Sequence, residues 1–175
     1  MADMWVFGYG SLMWRPGFPF VESQPARIKG VHRALCVYSW VHRGTRERPG
    51  LVLGLDRGGS CRGIAFRIRA VDAGSVINYL RGREQVTGVY LEQRRALVLE
   101  DERELDALTF VVDRAHDQYA GRLDADAEFE IVRQAHGRSG SNRDYVVRTV
   151  EHLIDLGIGD HRLQALADRL TAAPE

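Results

Sequence analysis

The sequence predicts an α+β protein: a small, partly closed, mixed β-barrel flanked by helices. Three observations lead there. The first two-thirds of the 175-residue chain is a succession of β-branched and aromatic runs separated by Gly- and Pro-rich turns. A single helical stripe, at residues 72–84, interrupts those runs. The last third holds helical stripes only, and strands first with helices last is the α+β order. One domain spanning residues 1–175 accommodates the whole pattern, because a chain of this length with 45% hydrophobic residues can bury a sizeable core.

Taken in order, residues 5–9 form a short apolar strand, and Pro16, Gly17 and Pro19 then impose an irregular loop. Residues 31–41 are β-branched and aromatic, a long strand. A polar loop at 44–50 leads to a strand at 51–55, and Gly58-Gly59 separates it from another at 61–68. The helix at 72–84 follows, then strands at 89–99 and 107–112. Residues 124–136 form a helix with acids in its first turn and an end near Gly137. Ser141 and Asp144 resemble a capping box opening a helix to Leu156, with Val146, Val150, Leu153 and Ile154 along one stripe. Asp160 caps a final helix that aligns Leu163, Leu166, Ala167 and Leu170.

Composition narrows the function classes. With 24 basic and 24 acidic residues the formal net charge is zero, which argues against a nucleic-acid binder needing a basic excess. The charge is unevenly placed: Arg27, Lys29, Arg33, Arg43, Arg46 and Arg48 face only Glu47 in the same stretch. A solvated face and a positive potential that attracts a small anion both fit this run. Cys36 and Cys61 have neither metal nor redox spacing and sit in strand-like runs, as buried thiols would in a reducing compartment. No apolar run is long enough to span a membrane, and the N-terminus carries no signal-peptide pattern. A soluble cytoplasmic protein with no membrane partner is expected.

The run Trp5-Val6-Phe7-Gly8-Tyr9-Gly10-Ser11-Leu12 begins like a dinucleotide fingerprint and then departs from it. Met13 stands where a third glycine belongs, and the prolines block the helix that should follow. What remains is a strand entering a turn with two glycines, where backbone N–H groups can approach a ligand and form an anion-binding nest. A plain turn at a sheet edge fits the local sequence equally well.

Glu84 is the second candidate. Ala73, Val76, Ile77 and Leu80 follow the i, i+3, i+4, i+7 rule, and Glu84 lies four residues beyond Leu80. It therefore continues the buried stripe. A carboxylate there must be paired or must raise its pKa, and a raised carboxyl pKa suits a general base near neutrality. A frayed helix end, or pairing with Arg81 or Arg83, is the structural reading of the same pattern.

Other constellations offer less. The histidines 32, 42, 116, 136, 152 and 161 show no His-x-x-x-His spacing, so no metal is expected. Ser11 lacks the Gly-x-Ser-x-Gly context of a serine nucleophile. Asp101, Glu102 and Glu104 cluster in a hairpin turn rather than as a glycosidase pair. Tyr145 either offers its hydroxyl to a ligand or packs beneath a helix start.

With these residues read, the chain resembles the ChaC family of γ-glutamylcyclotransferases, its glutathione-specific branch. The resemblance runs along nearly the whole chain. It comprises Met4-Trp5-Val6-Phe7-Gly8-Tyr9-Gly10-Ser11-Leu12-Met13-Trp14, His42-Arg43-Gly44 with Pro49-Gly50, and Tyr79-Leu80-x-x-Arg83-Glu84 followed by Gly88-x-Tyr90. Asp113, His116 and Tyr119 belong to it, as do Ser139-Gly140-Ser141-Asn142-x-x-Tyr145 and Leu156-Gly157-Ile158-x-Asp160. Two stretches depart from the family pattern. Gln85-Val86-Thr87 stands where some relatives have a basic residue and a double glycine, and Arg114-Ala115 where a proline is common. Both leave the choice among γ-glutamyl substrates open.

The resemblance implies a γ-glutamylcyclotransferase-like barrel that cleaves glutathione to 5-oxoproline and cysteinylglycine without a cofactor. The α-amine of the γ-glutamyl group attacks its own γ-carbonyl, so the enzyme folds one substrate rather than joining two. It further implies Glu84 as general acid/base. Backbone donors of Val6, Phe7, Gly8, Tyr9, Gly10, Ser11 and Leu12 would hold the carboxylate or the oxyanion. Tyr145 would be a further substrate contact, and Arg43 an attractor of the anionic substrate.

Overall fold

The computed structural model describes residues 2–174. Five strands close a barrel in the order β1-β3-β2-β4-β5. They are β1 (Met4–Gly8), β2 (Glu22–Ser39), β3 (Gly50–Ile68), β4 (Tyr90–Leu99) and β5 (Glu104–Val112). β1 pairs antiparallel with β3 from Met4↔Ile68 to Gly8↔Ile64, and parallel with β5 at Val6↔Leu108. That parallel seam makes the barrel mixed and closes it, where the sequence predicts only partial closure. A sequence has no period that reports the pairing of a first strand with a last one.

The helix α1 (Ala73–Glu84) follows a 3-10 turn at Ala70–Asp72 and lies between β3 and β4 in the chain. Helices α2 (Ala125–Gln134), α3 (Asn142–Asp155) and α4 (His161–Ala172) come last. Asp124, Ser141 and Asp160 each cap one of them, their side chains accepting the N–H of Ala127, Asp144 and Leu163 at 2.8, 3.0 and 3.1 Å. The barrel strands thus come first and these three helices last, as predicted.

Three local expectations are corrected. The strand expected at 31–41 begins already at Glu22, passing through Pro25. Proline lacks a ladder donor and reads as a breaker, yet Ala26, Arg27 and Ile28 pair with Leu99, Val98 and Leu97 of β4. The strands expected at 51–55 and 61–68 are one strand, β3. Gly58 and Gly59 have φ of 100° and 69°, so the chain bends there without leaving the sheet. Gly137 does not end α2. It belongs to β6 (His136–Gly137), which pairs with β7 (Gly140–Ser141) in a small hairpin leading into α3.

The chain divides into two compact units. The first comprises residues up to Ala34 together with Gly54–His116. Its core gathers Met4, Val6, Phe66, Ile68, Leu108 and Phe110 from three strands, Leu12 and Phe18 from the loop after β1, and Val76 and Leu80 from α1. The second comprises Leu35–Leu53 and the residues from Asp117 onward. There Leu153, Leu163, Leu166 and Leu170 are buried. Asn142 is fully buried, accepting the Leu51 N–H at 2.7 Å and donating to the Leu51 carbonyl at 2.8 Å. One amide side chain thus completes the backbone bonding of Leu51 as a neighbouring strand would.

Candidate active site

α1 buries one face, and Glu84 is its last residue. Val76 and Leu80 are 1% and 0% exposed, with Ala73 and Ile77 packed beside them. Glu84 extends that face by one further turn, and its side chain is only 17% exposed. Burial pushes its carboxyl above the ordinary carboxylate range. The Arg83 guanidinium, with Nε 3.5 Å from Glu84 Oε1, partly opposes that rise. Arg81 does not compete for Glu84, because it is engaged with Glu92 through bonds of 2.7 and 3.1 Å. A carboxylate at the end of a buried helix face, pushed up by burial and only partly offset by Arg83, is chemically suited to exchanging protons.

The Gly-rich run divides into two parts. Val6, Phe7 and Gly8 belong to the ladder of β1, and Val6 and Phe7 are 0% and 1% exposed. Residues 9–12 lie beyond the strand and enter a 3-10 turn at Ser11–Met13, closed by Met13 N–H on the Gly10 carbonyl at 2.9 Å. The glycine at position 8 answers a packing demand, since a Cβ there would sit 2.9 Å from Leu12 Cβ. Gly63 answers another: a Cβ on it would lie 2.3 Å from the Gly8 carbonyl oxygen and 2.7 Å from the Phe7 ring. Arg33 secures the turn from outside, donating through Nε to the Tyr9 carbonyl at 2.7 Å. Its other arm donates to the Arg62 carbonyl, also at 2.7 Å.

Arg83 joins the two elements. Its NH2 donates to Ser11 Oγ at 2.7 Å, and its NH1 donates to the Arg15 carbonyl at 2.8 Å. The carboxylate of Glu84 and the turn that follows β1 therefore contact the same guanidinium, although Ser11 and Arg83 are 72 positions apart. Leu12 and Leu80 also share one core cluster, so apolar packing holds α1 and the turn in the same register.

Arg43 and Tyr145 lie in the second unit. The Arg43 guanidinium donates to the Ser141 carbonyl at 3.2 Å and sits 5.5 Å from the Tyr145 ring centre. The Tyr145 hydroxyl accepts the Leu53 N–H at 3.0 Å. Asp101 belongs to the β4–β5 hairpin, bonded to Arg103 and Gln24, and Arg103 holds its carboxyl down at about 2. Among the described residues no group of three or more His, Cys, Asp or Glu side chains is disposed to hold a metal ion.

The ChaC-like protein family model matches residues 4–173. The chain belongs to the ChaC-like family. It is 36% identical over 165 residues to the glutathione-specific γ-glutamylcyclotransferase of Escherichia coli strain K12, covering 94% of this chain and 71% of that one. It is 30% identical over 171 residues to the human glutathione-specific γ-glutamylcyclotransferase 1, covering 94% and 77%. The fold matches the crystal structure of a yeast γ-glutamylcyclotransferase specific to glutathione with a TM-score of 0.86, at 23% identity over 98% of this chain and 96% of that one.

In this ChaC-like chain two of the site's supporting residues escape sequence reading. Arg33 reads only as one charge in a basic run, because nothing local shows that β2 brings it to the Tyr9 carbonyl. Arg83 reads as a helix-end cation or a partner for Glu84, and nothing local shows that it reaches Ser11. Its i+4 spacing from Tyr79, whose hydroxyl it reaches at 3.1 Å, is a further local signal.

Proposed function

We propose that this protein is a γ-glutamylcyclotransferase acting on glutathione. Its membership of the ChaC-like family and its identity to glutathione-specific relatives supply the substrate class. The observation that carries the mechanism is the largely buried Glu84 side chain, whose neighbour Arg83 touches both it and the Gly-rich turn.

The reaction proceeds within one substrate molecule. Glu84, ionised, takes a proton from the γ-glutamyl α-ammonium. The freed amine attacks the γ-carbonyl carbon, a five-membered ring closes, and the carbonyl oxygen becomes an oxyanion. The ring nitrogen, cationic after attack, releases its extra proton to solvent; collapse of the tetrahedral species then breaks the bond to the cysteinyl nitrogen, and Glu84 returns its proton to the departing amine. The products are 5-oxoproline and cysteinylglycine, and the enzyme ends as it began. Holding the substrate folded accounts for much of the acceleration, since effective molarities reach roughly 10⁵ M or more in such closures. A positioned acid–base group adds about 10²–10⁴-fold.

Backbone donors of Val6, Phe7, Gly8, Tyr9, Gly10, Ser11 and Leu12 hold the γ-glutamyl group in this reading, with residues 9–12 the part outside a strand. Arg43 and Tyr145 are proposed as further substrate contacts. Residues 1–175 act as one functional domain, in the cytoplasm, with no nucleic-acid or membrane partner; none of the described helices is long and apolar enough to cross a membrane.

Incubation with glutathione and assay of 5-oxoproline and cysteinylglycine tests the proposal. Both products are expected in equal amounts. Turnover of other γ-glutamyl peptides or amines in preference to glutathione would move the substrate assignment, and tight glutathione binding without product would replace catalysis by binding.

A further inference from the structure

We propose that Arg83 is the positioning residue of this site, clamping both ends of the wound segment after β1 against the last turn of α1. The inference rests on the cyclotransferase reading for its kinetic consequence, but the clamp itself is geometric. At the start of the segment Arg83 NH2 donates to Ser11 Oγ at 2.7 Å. At its end NH1 donates to the carbonyls of Arg15 and Pro16 at 2.8 and 3.3 Å. Between those points the segment holds itself, with Arg15 N–H on the Ser11 carbonyl at 2.8 Å.

The surroundings are shaped for this clamp. Tyr79 Oη accepts from Arg83 NH1 at 3.1 Å. It fits there because position 17 is glycine with φ of 75°; a Cβ at that point would lie 2.1 Å from the Tyr79 hydroxyl. The Arg83 side chain is 22% exposed, so these bonds are shielded in part from competing water. A planar guanidinium can address Ser11, Arg15 and Glu84 from separate nitrogens at once. An ammonium group is a single point and cannot. Arg83 touches the segment that carries the binding turn rather than the substrate, so its removal loosens the cradle while Glu84 remains in place.

The test uses Arg83→Lys and Ser11→Ala, singly and together, in the full-length protein. Arg83→Lys keeps a positive charge beside Glu84 and loses the fork. Its KM for glutathione is expected to rise about tenfold with kcat within about threefold of wild type. Ser11→Ala, at an exposed serine, removes one acceptor and raises KM by about threefold. The double variant is expected to be no worse than Arg83→Lys alone, because the two changes remove the same bond. Amide hydrogen exchange of residues 11–17 should quicken in Arg83→Lys while the urea midpoint stays near wild type.

An unchanged KM in Arg83→Lys, or full additivity of the two substitutions, overturns the proposal. So does unaltered exchange in the segment. Absence of 5-oxoproline from the wild type sinks the cyclotransferase reading instead, and the exchange measurement then still decides whether Arg83 holds the segment.

Discussion

Arg83 and Ser11, 72 positions apart in sequence, are joined by a 2.7 Å hydrogen bond, and the same guanidinium lies 3.5 Å from the carboxylate of Glu84. One side chain thus ties the end of α1 to the turn leaving β1. The geometry makes the Glu84 carboxylate and the Gly-rich turn parts of one arrangement.

Replacing Glu84 by Gln keeps the side chain's size and removes its capacity to carry a proton. Turnover of glutathione is expected to fall by about 10²-fold or more. The circular dichroism spectrum should be unchanged, because Glu84 ends its helix and pairs with the adjacent Arg83 at 3.5 Å. Activity within a few-fold of wild type in Glu84→Gln would take Glu84 out of the acid–base role.

The raised pKa of Glu84 has a stability consequence with a definite sign. Between the ordinary value near 4.5 and the higher folded value, the native protein holds a proton that the unfolded chain has lost. That contribution is complete below the window and declines as pH rises through it. Glu84→Gln, neutral throughout, escapes the decline. Thermal scans should give similar Tm values for the two proteins at about pH 4 and a higher Tm for the variant near neutrality. The acid limb of kcat/KM in the wild type should lie above the ordinary carboxylate range for the same reason.

Gly8→Ala and Gly63→Ala probe the seat of the turn. The added methyl would meet Leu12 Cβ at 2.9 Å in the first and the Gly8 carbonyl at 2.3 Å in the second. Both should lose about 1–3 kcal/mol by urea unfolding, with Gly63→Ala the worse because it meets backbone. Both should also raise KM, since the displaced atoms begin or support the turn.

Asn142→Ala would strand the buried N–H and C=O of Leu51. A loss of about 2–4 kcal/mol is expected, from two unsatisfied groups. Asn142→Asp keeps the acceptor for Leu51 N–H but presents a carboxylate to the Leu51 carbonyl, and should be no better. Equilibrium unfolding measures both.

Arg43→Ala and Tyr145→Phe separate structural from substrate roles in the second unit. Tyr145→Phe removes the hydrogen bond from the Leu53 N–H to the Tyr145 hydroxyl and should cost about 1 kcal/mol. If both residues contact substrate, KM rises in each variant. A stability change with wild-type KM would restrict them to structure.

The sequence by itself determined that strands precede the three last helices, with one helix among them, and the register of Glu84. Helical period is local, so Val76, Leu80 and Glu84 fall on one face whatever surrounds them. Capping is also local, and Ser141 and Asp160 open their helices as read. Gly10 was legible as part of a turn for the same reason, whereas Gly8 belongs to the ladder of β1. Only the tertiary structure decided how the strands close and what meets the site. The β1–β5 seam, the passage of β2 through Pro25 and the continuity of β3 across Gly58-Gly59 depend on pairing with distant strands. The contacts of Arg83 with Ser11, of Arg33 with Tyr9 and of Asn142 with Leu51 span 72, 24 and 91 positions. Such contacts follow from where the closed barrel and the packed helices place backbone atoms, and no local period or spacing encodes that placement.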